Sequence, residues 1–207
     1  VLDGVDLAVR PGECVVLDGP SGTGKSTLMR TLYGNYRAEG GAILVRHDGD
    51  LVDLAAASPR QMLAVRRRTI GYVSQFLHVI PRVPTLAIVA EPLRALGVDE
   101  SEARERAALL LRRLALPERL WSLPPATFSG GEQQRVNIAR GLAPRQPILL
   151  IDEPTASLDA ENRDRVVALL REALAEGVAM VGIFHDAATR AALATRIFRL
   201  PSRERAA

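Results

Sequence analysis

The sequence predicts an α/β fold: a mostly parallel sheet core, a small antiparallel β portion at the N-terminus and an inserted helical lobe. Three observations predict it. The apolar run Cys14-Val15-Val16-Leu17 leads through a glycine-rich turn into a helical pattern. From Ile148 onwards strand-like and helix-like segments alternate, the order that generates parallel strands joined by crossover helices. Between Gln75 and Ala143 the strand pattern vanishes. With 207 residues, 47% of them hydrophobic and 25% charged, the chain can bury a sizeable core as one globular domain over residues 1–207. The composition shift divides it into a core lobe of about 1–74 and 144–207 and a helical lobe of about 75–143.

Each element has a local reason. Val1 to Val9 alternates as a strand or hairpin arm does, and Arg10-Pro11-Gly12 reads as a turn. Ser26 to Leu32 is helical and stops near Gly34. Gly40 to Val45 reads as a strand, and His47-Asp48-Gly49-Asp50 as a turn with an exposed His47. Ser58-Pro59 caps a helix that runs to Arg68, where the run Arg66-Arg67-Arg68 suits a solvated helix end. Thr69 to Val73 is the next strand. Asp99 opens an amphipathic helix with Ala103, Ala107, Leu110, Leu111 and Leu114 on one face, and Leu116-Pro117 stops it. After Pro124-Pro125, Phe128-Ser129-Gly130-Gly131 opens another helix. Then follow a strand at Ile148 to Ile151, a helix from Ala160 to Ala175 ended by Gly177, a strand at Val178 to Phe184, a helix near Ala188 to Ala194 and a strand near Ile197 to Leu200.

Composition excludes some functions. The net charge is +3, but arginines are spread along the chain and aromatics are only 4%, which speaks against a nucleic-acid partner. Cys14 is the single cysteine, so no internal disulfide forms and a reducing compartment is expected. No apolar run is long enough to span a bilayer. A chain that opens on Val1 rather than Met is expected to lack its natural N-terminus.

The chemistry gathers where strands end. Gly19 to Ser26 fits G-x-x-x-x-G-K-[ST], a loop whose backbone N–H groups wrap phosphate oxygens at a helix N-terminus. Lys25 is suited to the β- and γ-phosphates and the Ser26 hydroxyl to Mg²⁺, as in P-loop NTPases. Among 27 basic residues Lys25 is the only lysine, placed where a compact ammonium rather than a planar guanidinium is needed. Asp152 and Glu153 follow an apolar strand; Asp152 suits the Mg²⁺ shell, and Glu153 can polarise a water attacking the γ-phosphate. His185 sits at the tip of the next strand, within reach of the γ-phosphate or the water. Gln75, just after another strand, can contact both Mg²⁺ and the water. Ser129-Gly130-Gly131 at a helix start is either an anion-binding nest or a plain N-cap.

In this order and spacing the pieces resemble the ATP-binding subunits of the ABC superfamily, over essentially the whole chain. Gly19, Pro20, Ser21, Gly22, Thr23, Gly24, Lys25, Ser26 and Thr27 match the Walker A loop and Gln75 the Q-loop. Ser129, Gly130, Gly131 and Glu132 match the signature, Asp152 and Glu153 the end of Walker B, Asp159 the D-loop, and His185 the switch histidine. The resemblance implies ATP and Mg²⁺ as cofactors, with Ser26, Gln75 and Asp152 at the metal and Glu153, His185 and Gln75 catalytic. It also implies a cytoplasmic subunit in a head-to-tail homo- or heterodimer, in which the Ser129 nest closes on ATP held by the other subunit. Phe128 stands where the signature usually has Leu, and Glu132 where Gln is common. The adenine-stacking aromatic of the family falls before Val1. Within the superfamily, Ser74 to Val83, Leu116 to Arg140 and Gly182 to Asp186 are similar to the L component of bacterial phosphonate carbon-phosphorus lyase systems, which implies soluble lyase components as partners in methylphosphonate breakdown. The alternative resemblance is to a transporter or lipoprotein-release ATPase, docked on membrane subunits at the inner face of the membrane. In both, the apolar strip Phe76 to Val83 after the Q-loop is the expected docking face.

Overall fold

A computed structural model of the chain describes residues 2–77 and 81–200. Five strands form one parallel sheet in the order β4-β5-β6-β1-β7: β1 is Cys14–Asp18, β4 Ile70–Val73, β5 Ile148–Asp152, β6 Ala179–Ile183 and β7 Arg196–Arg199. The register pairs Leu150 with Val181 and Val15 with Val181 and Arg196, so β6 and β1 lie centrally. Side chains alternate between two apolar clusters. Cys14, Val16, Leu149, Ile151 and Met180 face one, and Leu17, Leu150, Val181 and Ile183 the other. Both faces are covered, which is why these strands read as continuous apolar runs.

The helices are α1 (Lys25–Leu32), α2 (Pro59–Arg68), α3 (Thr85–Ala95), α4 (Glu100–Arg113), α5 (Gly130–Leu142), α6 (Ala160–Ala175) and α7 (Ala187–Leu193). Their starts follow capping chemistry. Ser58 and Gln61 form a capping box on α2, while Asp99, Asp159 and Asp186 each accept a backbone N–H at the start of α4, α6 and α7. The expected helical insertion is present, since α3, α4 and α5 pack on one another between β4 and β5. Leu111, completely buried in that packing, is expected on substitution by Ala to cost about 2–5 kcal/mol, because the cavity cannot fully collapse. Urea unfolding of the Leu111→Ala variant checks this; a change within about 0.5 kcal/mol would place Leu111 outside the stabilising core.

Several expectations are corrected. Leu2 to Val9 forms no strand; Leu2, Val5, Leu7 and Val9 pack on the Leu28–Val45 cluster, so the alternation reflects burial without a partner ladder. The small antiparallel portion is instead the hairpin of β2 (Leu44–His47) and β3 (Asp50–Asp53). His47 belongs to the strand and not the turn: it pairs with Asp50, leaving Asp48 (φ 51) and Gly49 (φ 92) as a two-residue turn. Its side chain is only 12% exposed, with Nδ1 2.6 Å from the Thr69 hydroxyl. Arg66 is not a solvated helix end either, because its guanidinium lies 4.6 Å over the Tyr33 ring. Helix α3 has no clear signal in the sequence because Pro92 lies inside it. Burial of Ile88, Val89 and Leu93 outweighs the hydrogen bond that proline removes.

A candidate nucleotide-binding and hydrolysis site

Parallel pairing brings the carboxyl ends of β1, β4, β5 and β6 to one edge of the sheet. There β1 enters the loop Gly19–Gly24, and Gly19, Gly22 and Gly24 take positive φ values of 149, 83 and 97° that a side chain would strain. Gly24 caps α1 without a side chain, so the first N–H groups of the helix are left for an anion. Lys25 curls back over the loop, donating to the carbonyls of Gly19 (2.6 Å) and Pro20 (2.9 Å). Thr23 fastens the loop further through its hydroxyl to Pro20 O at 2.9 Å. Ser26, in the first turn of α1, is exposed at the mouth.

Across this edge the carboxylates meet their expected neighbours. Asp152 closes β5 rather than following it, paired with Ile183, and the Glu153 N–H donates to Ile183 O at 3.0 Å. Glu153 takes φ 50, a left-handed conformation that costs a non-glycine residue about 1–3 kcal/mol and is typical of functional sites. Its carboxylate is bracketed: His185 Nε2 lies 2.7 Å from Oε1, and the Gln75 amide donates to Oε2 at 3.3 Å. Two residues 110 positions apart in sequence, Gln75 and His185, thus converge on one carboxylate.

Asp152 is 6% exposed, and burial, then the adjacent Glu153 charge, raise its pKa against the lowering effect of a hydrogen bond from Tyr72. That phenol lies 3.4 Å from Asp152 Oδ2, and burial, with Asp152 second, pushes its own pKa up to about 12. Ser26, Asp152 and Gln75 supply a hydroxyl, a carboxylate and an amide oxygen. This sparse, hard set fits Mg²⁺, which keeps several waters and uses one or two carboxylates plus substrate phosphates. Among the described residues no group of three or more His, Cys, Asp or Glu could hold a metal ion.

Ser129 caps α5 in a capping box, its N–H and hydroxyl donating to the Glu132 carboxylate at 2.9 and 2.7 Å. These bonds, which hold the Glu132 pKa low, stay within the helix start and do not reach the phosphate loop. A Cβ on Gly131 would lie 2.9 Å from Ser157 O, so glycine is required where α5 meets the segment leading to Asp159. Asp159 caps α6, accepting from Asn162 N at 2.9 Å, and Arg135 of α5 donates to the Asn162 side chain.

Sequence reasoning missed Tyr72, Arg135 and the role of Asn137. The buried Asn137 amide donates to Ser74 O at 2.6 Å and so fixes the residue before Gln75. A polar residue on the apolar face of α5 is the only signal that points to it. Trp121 is a packing residue, its indole donating to Leu116 O at 3.0 Å. In the expected docking strip Phe76 is 69% exposed, while His78, Val79 and Ile80 lie outside the described residues.

Comparison with known proteins agrees with this geometry. The sequence profile of the family described as "ABC transporter" matches residues 2–156. The lipoprotein-releasing system ATP-binding protein LolD of Hyphomonas neptunium is 42% identical over 187 residues, covering 90% of this chain and 80% of that protein. Its counterpart in Maricaulis maris is 44% identical over 189 residues, with 90% and 80% coverage. Among solved structures, the dimeric post-hydrolysis ATP-binding cassette MJ0796 bound to ADP and Pi superposes with a TM-score of 0.86 at 32% identity, covering 96% of this chain and 85% of that one. Fold, edge chemistry and relatives converge: the chain belongs to the ABC transporter family, whose ATP-binding domains take ATP together with Mg²⁺.

Proposed function

We propose that this chain is the ATP-hydrolysing subunit of a membrane system of the lipoprotein-release type, working at the inner face of the membrane as one half of a head-to-tail dimer. The observation that carries the membrane assignment is the 42–44% identity, over 90% of the chain, to lipoprotein-releasing ATP-binding proteins. In this reading Lys25 and the loop from Gly19 to Thr27 bind the phosphates, and Ser26, Asp152 and Gln75 hold Mg²⁺, which supplies charge neutralisation on the phosphate oxygens. Glu153 accepts a proton from the attacking water, a role supported by its contacts with Gln75 and His185. His185 and Gln75 orient that water and the γ-phosphate. Ser129, Gly130, Gly131 and Glu132 act on ATP held by the second subunit, with Asp159 at the dimer seam; the dimeric relative MJ0796 supports such an assembly. The helical lobe of about 75–143 carries the docking face and the remainder the nucleotide.

A second reading keeps the ATPase and changes the partner. The resemblance of Ser74 to Val83, Leu116 to Arg140 and Gly182 to Asp186 to phosphonate-lyase components suggests a soluble carbon-phosphorus lyase assembly, while the relatives support membrane subunits instead. Phe76 tests both. Its exposure means that Phe76→Asp should leave the domain folded yet abolish ATP-sensitive association with partners. Recovery of the parent protein with membranes, released by detergent together with a permease, supports the first reading. Recovery in a detergent-free soluble complex containing lyase components overturns it in favour of the second.

A further inference from the structure

Beside the catalytic edge lies a cluster that neither reading uses. Of the chain's three tyrosines, Tyr33 and Tyr72 form its centre. Tyr33 ends α1, and its ring lies 5.0 Å from that of Tyr72 on β4, tilted by 33°. Arg66 of α2 clamps Tyr33 from the side: its guanidinium sits 4.6 Å over the ring, and it donates to Tyr33 O at 2.8 Å and to Asn35 Oδ1 at 3.0 Å. Aromatic and cation–π contacts of this kind fix ring positions rather than merely filling space. Held in that way, the Tyr72 ring directs its hydroxyl to Asp152 Oδ2, 3.4 Å away. An ionised carboxylate can only accept, so the phenol is the donor.

We infer that Tyr72 is a positioning residue for Asp152: braced by Tyr33 and Arg66, its hydroxyl fixes the rotamer in which the carboxylate meets the nucleotide-bound divalent cation. The inference rests on the reading of Asp152 as a metal-shell ligand. Groups that orient metal-binding carboxylates typically govern metal affinity about 10- to 100-fold. At 3.4 Å this bond is longer than an ordinary O–H···O contact, although such bonds often shorten in the loaded site. The expected effect is therefore smaller, roughly three- to tenfold. If Tyr72 only packs against Tyr33, removing its hydroxyl changes nothing at the metal.

Tyr72→Phe keeps the ring and deletes the donor. The test titrates Mn²⁺ against the full chain with ADP, followed by electron paramagnetic resonance, alongside ADP binding without metal and thermal unfolding. The expected result is a roughly three- to tenfold weaker Mn²⁺ affinity, with metal-free ADP binding and the unfolding midpoint unchanged. Parent-like Mn²⁺ affinity overturns the inference, as does a lowered unfolding midpoint without a Mn²⁺ effect. Asp152→Asn separates the levels. If that variant also binds Mn²⁺ normally, the reading of Asp152 itself fails; if only Tyr72→Phe is silent, the inference alone fails. Should Tyr72→Phe not fold, Tyr33→Leu loosens the brace while sparing the hydroxyl. It must weaken Mn²⁺ binding in the same direction, and parent-like affinity there overturns the inference.

Discussion

Glu153→Gln is expected to lower steady-state ATP turnover about 10²–10³-fold while leaving MgATP binding intact, the loss typical of removing a positioned general base. The substitution preserves shape, and the site can absorb it. An amide still offers one oxygen and one NH₂ group to the two neighbours, and His185 can switch tautomer to accept where it now donates. The left-handed backbone at residue 153 is equally open to Gln, so the strain that aims the side chain persists. Chemistry is therefore blocked without unfolding, and an ATP-bound dimer should accumulate and elute earlier on sizing columns. Turnover within about threefold of the parent would remove Glu153 from the role of base.

Much of this site is visible in the sequence because its demands are local. A phosphate loop needs glycines and a lysine at fixed spacing within one turn, and the helix boundaries at Ser58, Asp99, Ser129 and Asp159 follow from caps a few residues long. Strand ends carrying Asp152, Glu153 and His185 are equally readable, since apolar runs ending in carboxylates or imidazole mark the carboxyl edge of a parallel sheet. What stays hidden depends on register and long-range packing. That Tyr72 meets Asp152 requires β4 to pair with β5 in one particular register, 80 positions apart. Asn137 reaches Ser74 across 63 positions, and no local pattern encodes that contact. The Val1 to Val9 expectation failed for the converse reason: alternation records which side chains are buried and is silent on whether a neighbouring strand exists. For the partner, short stretches suggest phosphonate-lyase components, whereas the identity over 90% of the chain is to lipoprotein-releasing ATP-binding proteins and backs the alternative expectation; motifs that touch ATP carry no information about the partner.

Lys25→Arg is expected to lose roughly 10- to 100-fold in MgATP affinity or in kcat/KM, although it conserves charge. In the free protein the ammonium sits between the carbonyls of Gly19 and Pro20, at 2.6 and 2.9 Å, where a point donor with three protons can reach several acceptors on a tight loop. A guanidinium is wider, planar and fixed in its fork, so it must either push the loop open or turn its donors away from the phosphates. The opposite change supplies the control. Arg104 on α4 is exposed and pairs with Glu100 on its own helix, and Arg104→Lys should leave nucleotide binding within about twofold of the parent. The contrast between the two reciprocal substitutions separates a steric requirement at one position from a general preference for arginine in a chain whose other 26 basic residues are all Arg. If Lys25→Arg bound and hydrolysed MgATP like the parent, the single lysine would be an accident of composition, and the close fit of the Gly19–Gly24 loop around its ammonium would have no bearing on phosphate recognition.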